Sequence, residues 1–163
     1  MKNPIRQVQA VLAGMWAGVL MCIGAMAAPA AFAVLVPVDA GRLVGRLLAQ
    51  EAYLSIALAV LLLVIERGRS RHAAATAEAG VSSVLSTNIL LLLGTLFCTV
   101  AGYFAVQPMM AAARAGQGSW PFGALHAVSG GFFVLKGLLV LALAWRLWSA
   151  GRATAVRTTA TIS

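Results

Sequence analysis

The sequence predicts an all-α fold, an integral membrane four-helix antiparallel bundle. Of its 163 residues, 61% are hydrophobic and only 10% are charged, whereas soluble domains carry about 25% charged residues. The apolar residues collect in four long runs, each close to the roughly 20 residues that a helix needs to cross a bilayer. Helices are expected because lipid offers no hydrogen-bond partner to an open backbone.

The sequence predicts one transmembrane domain, residues 1–148, with spans at about 10–35, 47–66, 87–106 and 123–147. Pro29 predicts a kink in the first span, since proline removes a helical hydrogen bond. A cleavable signal peptide is the alternative for this segment, because Lys2 and Arg6 precede the apolar run and alanines end it. The length of the run favours a retained span. The Ala- and Thr-rich tail, 149–163, is predicted to be disordered and cytoplasmic.

The basic residues predict the orientation of the chain. One side of the predicted bundle carries eight of them: Lys2, Arg6, Arg67, Arg69, Arg71, Arg146, Arg152 and Arg157. The other side carries only Arg42, Arg46 and Arg114. By the positive-inside rule, both termini are expected in the cytoplasm of a bacterial cell, with the bundle in its inner membrane. Membrane orientation therefore explains the net charge of +8, and nucleic acid is not predicted as a partner.

Two charged residues fall within the predicted spans. Lys136 lies near the middle of the fourth span, where an exposed ammonium costs at least about 2.5 kcal/mol on insertion scales. The second apolar run, 52–65, is too short to cross the bilayer and must extend through Glu51. The two Cα atoms differ in depth by only about 7 Å at 1.5 Å per residue, so Glu51 is the best partner for Lys136. A structural pair is favoured over a substrate or proton site.

His126 and Ser129 continue this polar stripe along the fourth span. Ser129 lies seven residues before Lys136, which is nearly two helical turns. The favoured interpretation is hydrogen bonding between helices, and the alternative is the lining of a small hydrated cavity.

Metal or haem binding is a weaker hypothesis, and no cofactor is predicted. His126 has no second intramembrane histidine, because His72 belongs to a loop on the opposite side. Three sulfur residues, Met15, Cys22 and Met26, share one side of the first helix, which makes a copper(I) site conceivable. Residues of this kind at helical spacing are usually packing residues, and Cys22 and Cys98 are both expected to be buried.

Close helix packing is predicted from Gly14 and Gly18, which form a GxxxG pattern. The partner helix can belong to the same chain or to a second copy in a homodimer. No Walker-type loop, nucleophile elbow or HExxH motif occurs, so no enzymatic activity is predicted.

Several short motifs in order resemble a known family. They are Trp16 with Gly18, Ala28-Pro29 with Phe32, Ala40-Gly41, Tyr53, Pro108, and Phe122 through Leu125-His126 with Ser129. Over about residues 10–148 the chain resembles the bacterial domain of unknown function 4149 family, which is similar to the transmembrane protein 205 family. The resemblance implies a four-helix membrane protein of uncharacterised activity. The family usually has an asparagine about two turns after the histidine of the fourth helix, where this chain has Phe133 and then Lys136.

The sequence leaves three functional hypotheses open. The favoured one is a structural or accessory membrane protein whose polar groups hold the helices together. The second is a small transporter or permease-like protein that uses Lys136 and Glu51. The third is a membrane metal or haem binding protein that uses His126 and the sulfur residues.

Overall fold

The computed structural model describes the backbone of residues 4–76 and 86–160 and the side chains of residues 4–71 and 86–150. Within these ranges the chain is helical and has no strand. The elements are α1 (Pro4–Met21), π1 (Cys22–Ala27), α2 (Ala28–Val34), α3 (Pro37–Thr76), α4 (Thr87–Thr99), π2 (Val100–Ala105), α5 (Val106–Arg114) and α6 (Phe122–Ala160), where π denotes a π-helical segment.

In the part of the chain that the structure describes, four helices are long and apolar enough to cross a membrane, as the sequence predicts. They are Pro4–Val34, Pro37–Arg71, Thr87–Arg114 and Phe122–Ala150. The protein is therefore an all-α membrane bundle. We call the end that holds Arg6, Arg69 and Arg146 the terminus end. The opposite end, formed by residues 35–36 and 115–121, is the cavity end.

Two spans contain π-helical segments just before a proline. Ala28 donates its N–H to the carbonyl of Ile23, five residues back, and Pro29 follows. Val106 likewise donates to Ala101, and Pro108 follows. Because proline has no N–H and crowds the preceding turn, the wider π turn accommodates it and the helix continues.

The helices extend beyond most of the predicted boundaries, and α1 begins at Pro4 and α3 ends at Thr76, outside the predicted 10–35 and 47–66. The third span continues past Pro108 to Arg114, since π2 absorbs the proline. The second helix begins at Pro37, ten residues before the predicted span. The backbone of α6 continues to Ala160, where the sequence predicts a disordered tail from residue 149. Alanine and arginine favour helix, and extending an existing helix needs no new nucleus. Residues 161–163 lie outside the described part.

The core is an apolar layer between the terminus end and the level of Glu51 and Lys136. α6 packs against α1 and α4, and α3 packs against α4. The buried layer includes Trp16, Leu20, Leu62, Leu92 and Leu143. A smaller buried cluster contains Val106, Met110 and Leu125. Many other large apolar side chains are exposed, as lipid-facing residues are, and Trp120, Trp145 and Trp148 are exposed near the ends of the fourth candidate span.

Candidate functional site in the membrane interior

A buried ion pair joins α3 to α6. Lys136 Nζ donates to Glu51 Oε2 at 2.5 Å, and the two residues are only 4% and 3% exposed. Charges this deep are stable only when they are paired and hydrogen-bonded. The depth argument from the sequence therefore identified the partner of Lys136.

Ser55 donates a second hydrogen bond to Glu51, and Trp16 in turn donates one to Ser55. Ser55, one turn further along α3, donates its hydroxyl to Glu51 Oε1. Trp16 in α1 donates its indole N–H to Ser55 Oγ at 2.9 Å. Trp16 and Ser55 are fully buried. The chain of hydrogen bonds thus links three helices, and it ends at Trp16 because an indole N–H is only a donor.

The ammonium of Lys136 keeps unused donor capacity. A lysine ammonium has three N–H donors. Among the residues that the structure describes, Lys136 Nζ donates only to Glu51, and its other close neighbour is the ring of Phe133, with 5.3 Å from Nζ to the ring centroid. Lys136 lines a cavity. Two donors of a nearly buried cation therefore have no acceptor among the described residues.

This cavity has a volume of about 840 Å³ and extends from the cavity end past the ion pair to Leu141. Its buried charged part, Glu51 and Lys136, is called its floor, and Arg114 and His126, both exposed, lie near its mouth. Its wall is mostly apolar, with several glycines. Along α6 the distance from Phe122 to Lys136 is about 21 Å at 1.5 Å per residue. The cavity therefore reaches about the middle of the membrane.

Each π-helical segment carries a glycine that meets a phenylalanine of α6. A Cβ atom on Gly102 in π2 would lie 2.5 Å from Phe132 Cβ. A Cβ atom on Gly24 in π1 would lie 3.0 Å from Phe133 Cε1. Gly24 and Gly102 both line the cavity. The two prolines, the π turns and the glycines together bring α6 close to both neighbouring spans.

Ser129 and His126 line the same cavity but do not join the ion pair. Ser129 donates its hydroxyl to the carbonyl of Gly102 at 3.0 Å, which is the interhelical bond that the sequence favours. His126 is exposed and stacks on Phe122, with ring centroids 5.8 Å apart. The Arg114 guanidinium lies 4.6 Å from the centre of the same Phe122 ring.

A second polar cluster, at the terminus end, has no counterpart in the sequence predictions. Glu66, 6% exposed, accepts hydrogen bonds from Gln9, Arg69, Ser86 and Asn88. These donors come from α1, α3, the residue before α4, and α4 itself. The cluster and the apolar layer beneath it separate the cavity from the terminus end. A polar residue inside an apolar run, here Gln9, is the signal that could have revealed this cluster.

The glycine pair of the first helix faces away from the bundle. Ala13, Trp16 and Leu20 are buried, whereas a Cβ atom on Gly14 or Gly18 would meet no described atom within 4 Å. The GxxxG pattern therefore packs against no described part of this chain, and close packing against a second copy stays a prediction. The bulky Trp16, held by Ser55, lies on the bundle side of the helix instead.

The sulfur residues of the first helix also point outward. Met15 and Met26 are 65% and 68% exposed, and Cys22 is exposed, contrary to the burial expected for it. Cys98 is buried, as predicted. Met110 lines the cavity, but among the described residues no group of three His, Cys, Asp or Glu side chains is placed to hold a metal ion.

These features define a multi-pass α-helical membrane protein with a buried ion pair at the floor of an intramembrane cavity. Residues 11–119 match the family described as Domain of unknown function (DUF4149), and the chain belongs to that family. The match covers Glu51 but ends before α6, so the resemblance predicted to extend to residue 148 is shown only as far as 119. Neither a curated protein nor a solved structure matches the chain. The likeness to the transmembrane protein 205 family stays a prediction.

Proposed function

We propose that the protein binds a small, largely apolar molecule inside the membrane, in the cavity above Glu51 and Lys136. The observation that carries the proposal is that a nearly buried charged pair lines an otherwise mostly apolar cavity of about 840 Å³. Ligand pockets commonly span about 300–1,000 Å³ and combine apolar walls with a few polar groups. Binding, without catalysis, is sufficient to explain this arrangement.

The structure represents a site that is closed toward the terminus end. The apolar layer and the Glu66 cluster lie between the ion pair and the terminus end. Glu51 and Glu66 are separated by 15 residues, about 22 Å along α3. A permease-like role would need a second conformation in which this layer opens. Transport is thus the second candidate function, and the cavity is its supporting observation.

The structural role favoured by the sequence is compatible with the contacts of the ion pair but gives no reason for the cavity. The metal or haem hypothesis stays a prediction with no ligand group among the described residues. A homodimer also stays a prediction, for which the outward Gly14 and Gly18 surface is the available helix face.

We further propose that the terminus end faces the cytoplasm of a bacterial inner membrane, because the basic residues concentrate there. Cysteine labelling in intact cells tests this, in a variant whose native cysteines, Cys22 and Cys98, are replaced by alanine. Gly118→Cys should react with an external membrane-impermeant maleimide, and Ser149→Cys should react only after lysis. The reverse pattern would invert the orientation.

The binding proposal is tested by filling the cavity. A Cβ atom on Gly45 meets no described atom within 4 Å, and Gly45 lines the cavity. Gly45→Leu should therefore occupy the cavity without displacing its walls. Gly14→Leu is the matched control, because Gly14 is equally open but faces away from the bundle.

The measurement is native mass spectrometry of protein purified in mild detergent, with extraction of any bound small molecule. Wild type and Gly14→Leu should carry the same molecule, and Gly45→Leu should lose at least about 90% of it. Equal amounts in Gly45→Leu and wild type would overturn the proposal. If no molecule survives purification, added tridecane bound equally by all three proteins would overturn it as well.

A further inference from the structure

The chemistry of the cavity floor points to the kind of molecule that it takes. This inference rests on the proposed binding function and specifies its ligand. Three observations bear on it: the charge balance at the floor, the unused donors of Lys136, and the exposure of the wall residues between the first span and α6.

The charge balance favours a neutral ligand. Glu51 and Lys136 compensate each other at 2.5 Å, so an added anion would meet a carboxylate and an added cation an ammonium. In a low-dielectric environment such unbalanced charges are costly. Arg114 is the remaining charged lining residue, and it lies near the mouth against Phe122, whose Cα is about 21 Å from that of Lys136 along α6.

The unused donors favour a hydrogen-bond acceptor. Lys136 is 4% exposed, lines the cavity and, among the described residues, donates only to Glu51. A buried donor without a partner is unfavourable, whereas a hydrogen bond to a charged group is stronger than one between neutral groups. A carbonyl or hydroxyl oxygen near Nζ would satisfy it. The Phe133 ring beside Nζ offers an apolar surface to the adjoining part of the ligand.

The wall favours a molecule that is soluble in lipid. Met21, Val134 and Leu138 line the cavity and are 54%, 61% and 59% exposed on the outer surface of the bundle. The cavity therefore also opens sideways between the first span and α6. A ligand can enter from the bilayer through this opening.

We propose that the cavity binds a neutral, lipid-soluble molecule whose carbonyl or hydroxyl oxygen accepts a hydrogen bond from Lys136 and whose apolar part lies along the wall. An anionic amphiphile held by Arg114 at the mouth is the competing occupant.

Three probes of equal carbon number separate these possibilities: undecyl methyl ketone, tridecane and tridecanoate. Binding is measured by scintillation proximity on wild-type protein in nanodiscs, with radiolabelled ketone and unlabelled competitors, and empty nanodiscs are subtracted. The ketone should bind about 10-fold more tightly than tridecane, the effect of one hydrogen bond to a charged group. It should also bind more tightly than tridecanoate. Tighter binding of tridecanoate, or equal binding of ketone and tridecane, would overturn the proposal.

A variant then tests the role of Lys136. Lys136→Met combined with Glu51→Gln removes the ammonium without leaving a charge unpaired. Ketone affinity should fall about 10-fold, to the affinity for tridecane, and tridecane affinity should change little. A ketone preference that persists in this folded variant would overturn the assignment of Lys136. Loss of tridecane binding in Gly45→Leu, which the binding function requires, is a separate result, so a failure of the ligand assignment can be distinguished from a failure of the binding function.

Discussion

Breaking the Glu51–Lys136 pair from one side should destabilise the protein far more than removing both charges. In Lys136→Met the carboxylate of Glu51 remains 3% exposed with the Ser55 hydroxyl as its described donor. In Glu51→Gln the ammonium loses its counter-ion. Removing one partner of a buried pair typically costs about 3–5 kcal/mol, because the other charge is left uncompensated.

The double variant, Lys136→Met with Glu51→Gln, should recover most of this loss. The glutamine amide oxygen would still accept the Ser55 hydrogen bond, and methionine is flexible enough to fill the volume of the lysine stem. We expect it within about 2 kcal/mol of wild type, since neutral replacements of buried pairs are often tolerated. The coupling in the thermodynamic cycle should then be several kcal/mol.

Unfolding in detergent, followed by circular dichroism, measures all four proteins under one condition. The control is a second double-mutant cycle, on Asp39 and Arg42 at the cavity end. These residues form a 3.2 Å ion pair whose side chains are 55% and 78% exposed. That pair should show coupling near zero. Additive effects of Glu51→Gln and Lys136→Met would refute the reasoning, as would single variants as stable as wild type.

Three further substitutions probe the surroundings of the site, each measured as a change in unfolding temperature. Gly102→Ala should destabilise the bundle, because the new methyl would lie 2.5 Å from Phe132 Cβ, whereas Gly14→Ala should have no such effect. Equal shifts would contradict the close approach of π2 and α6. Glu66→Gln should loosen the terminus end by weakening four hydrogen bonds, two of them from neutral amides. An unchanged unfolding temperature would show that the cluster adds no stability. Trp16→Phe should cost about 1–3 kcal/mol, because the buried serine that orients Glu51 loses its donor, and a neutral result would count against this chain of bonds.

The membrane fold and the ion pair could be predicted because both follow from depth. Four apolar runs fix the number of spans, and a rise of 1.5 Å per residue places Glu51 and Lys136 at nearly the same level. The third helix continues beyond the predicted end of its span, where Pro108 is expected to end it. The π turn before this proline, which depends on packing against α6, keeps the helix continuous.

The other features of the site depend on how each helix is rotated about its own axis, which a single sequence does not determine. Gly14 and Gly18 have the spacing of a helix contact, yet Trp16 occupies the buried face. The position of Ser55 one turn after Glu51 was a usable signal for its hydrogen bond. The cavity had no such signal, because it results from the glycine and phenylalanine contacts among three spans.

The central claim, that the cavity above the ion pair holds a ligand, is tested most directly by locating a bound molecule. A diazirine derivative of undecyl methyl ketone, photolysed in membranes containing the protein, should label cavity segments such as 20–28, 41–48 and 130–137. Excess unlabelled ketone should suppress this labelling, and Gly45→Leu should abolish it while Gly14→Leu leaves it unchanged. Labelling spread evenly over lipid-facing residues, without competition, would contradict the account.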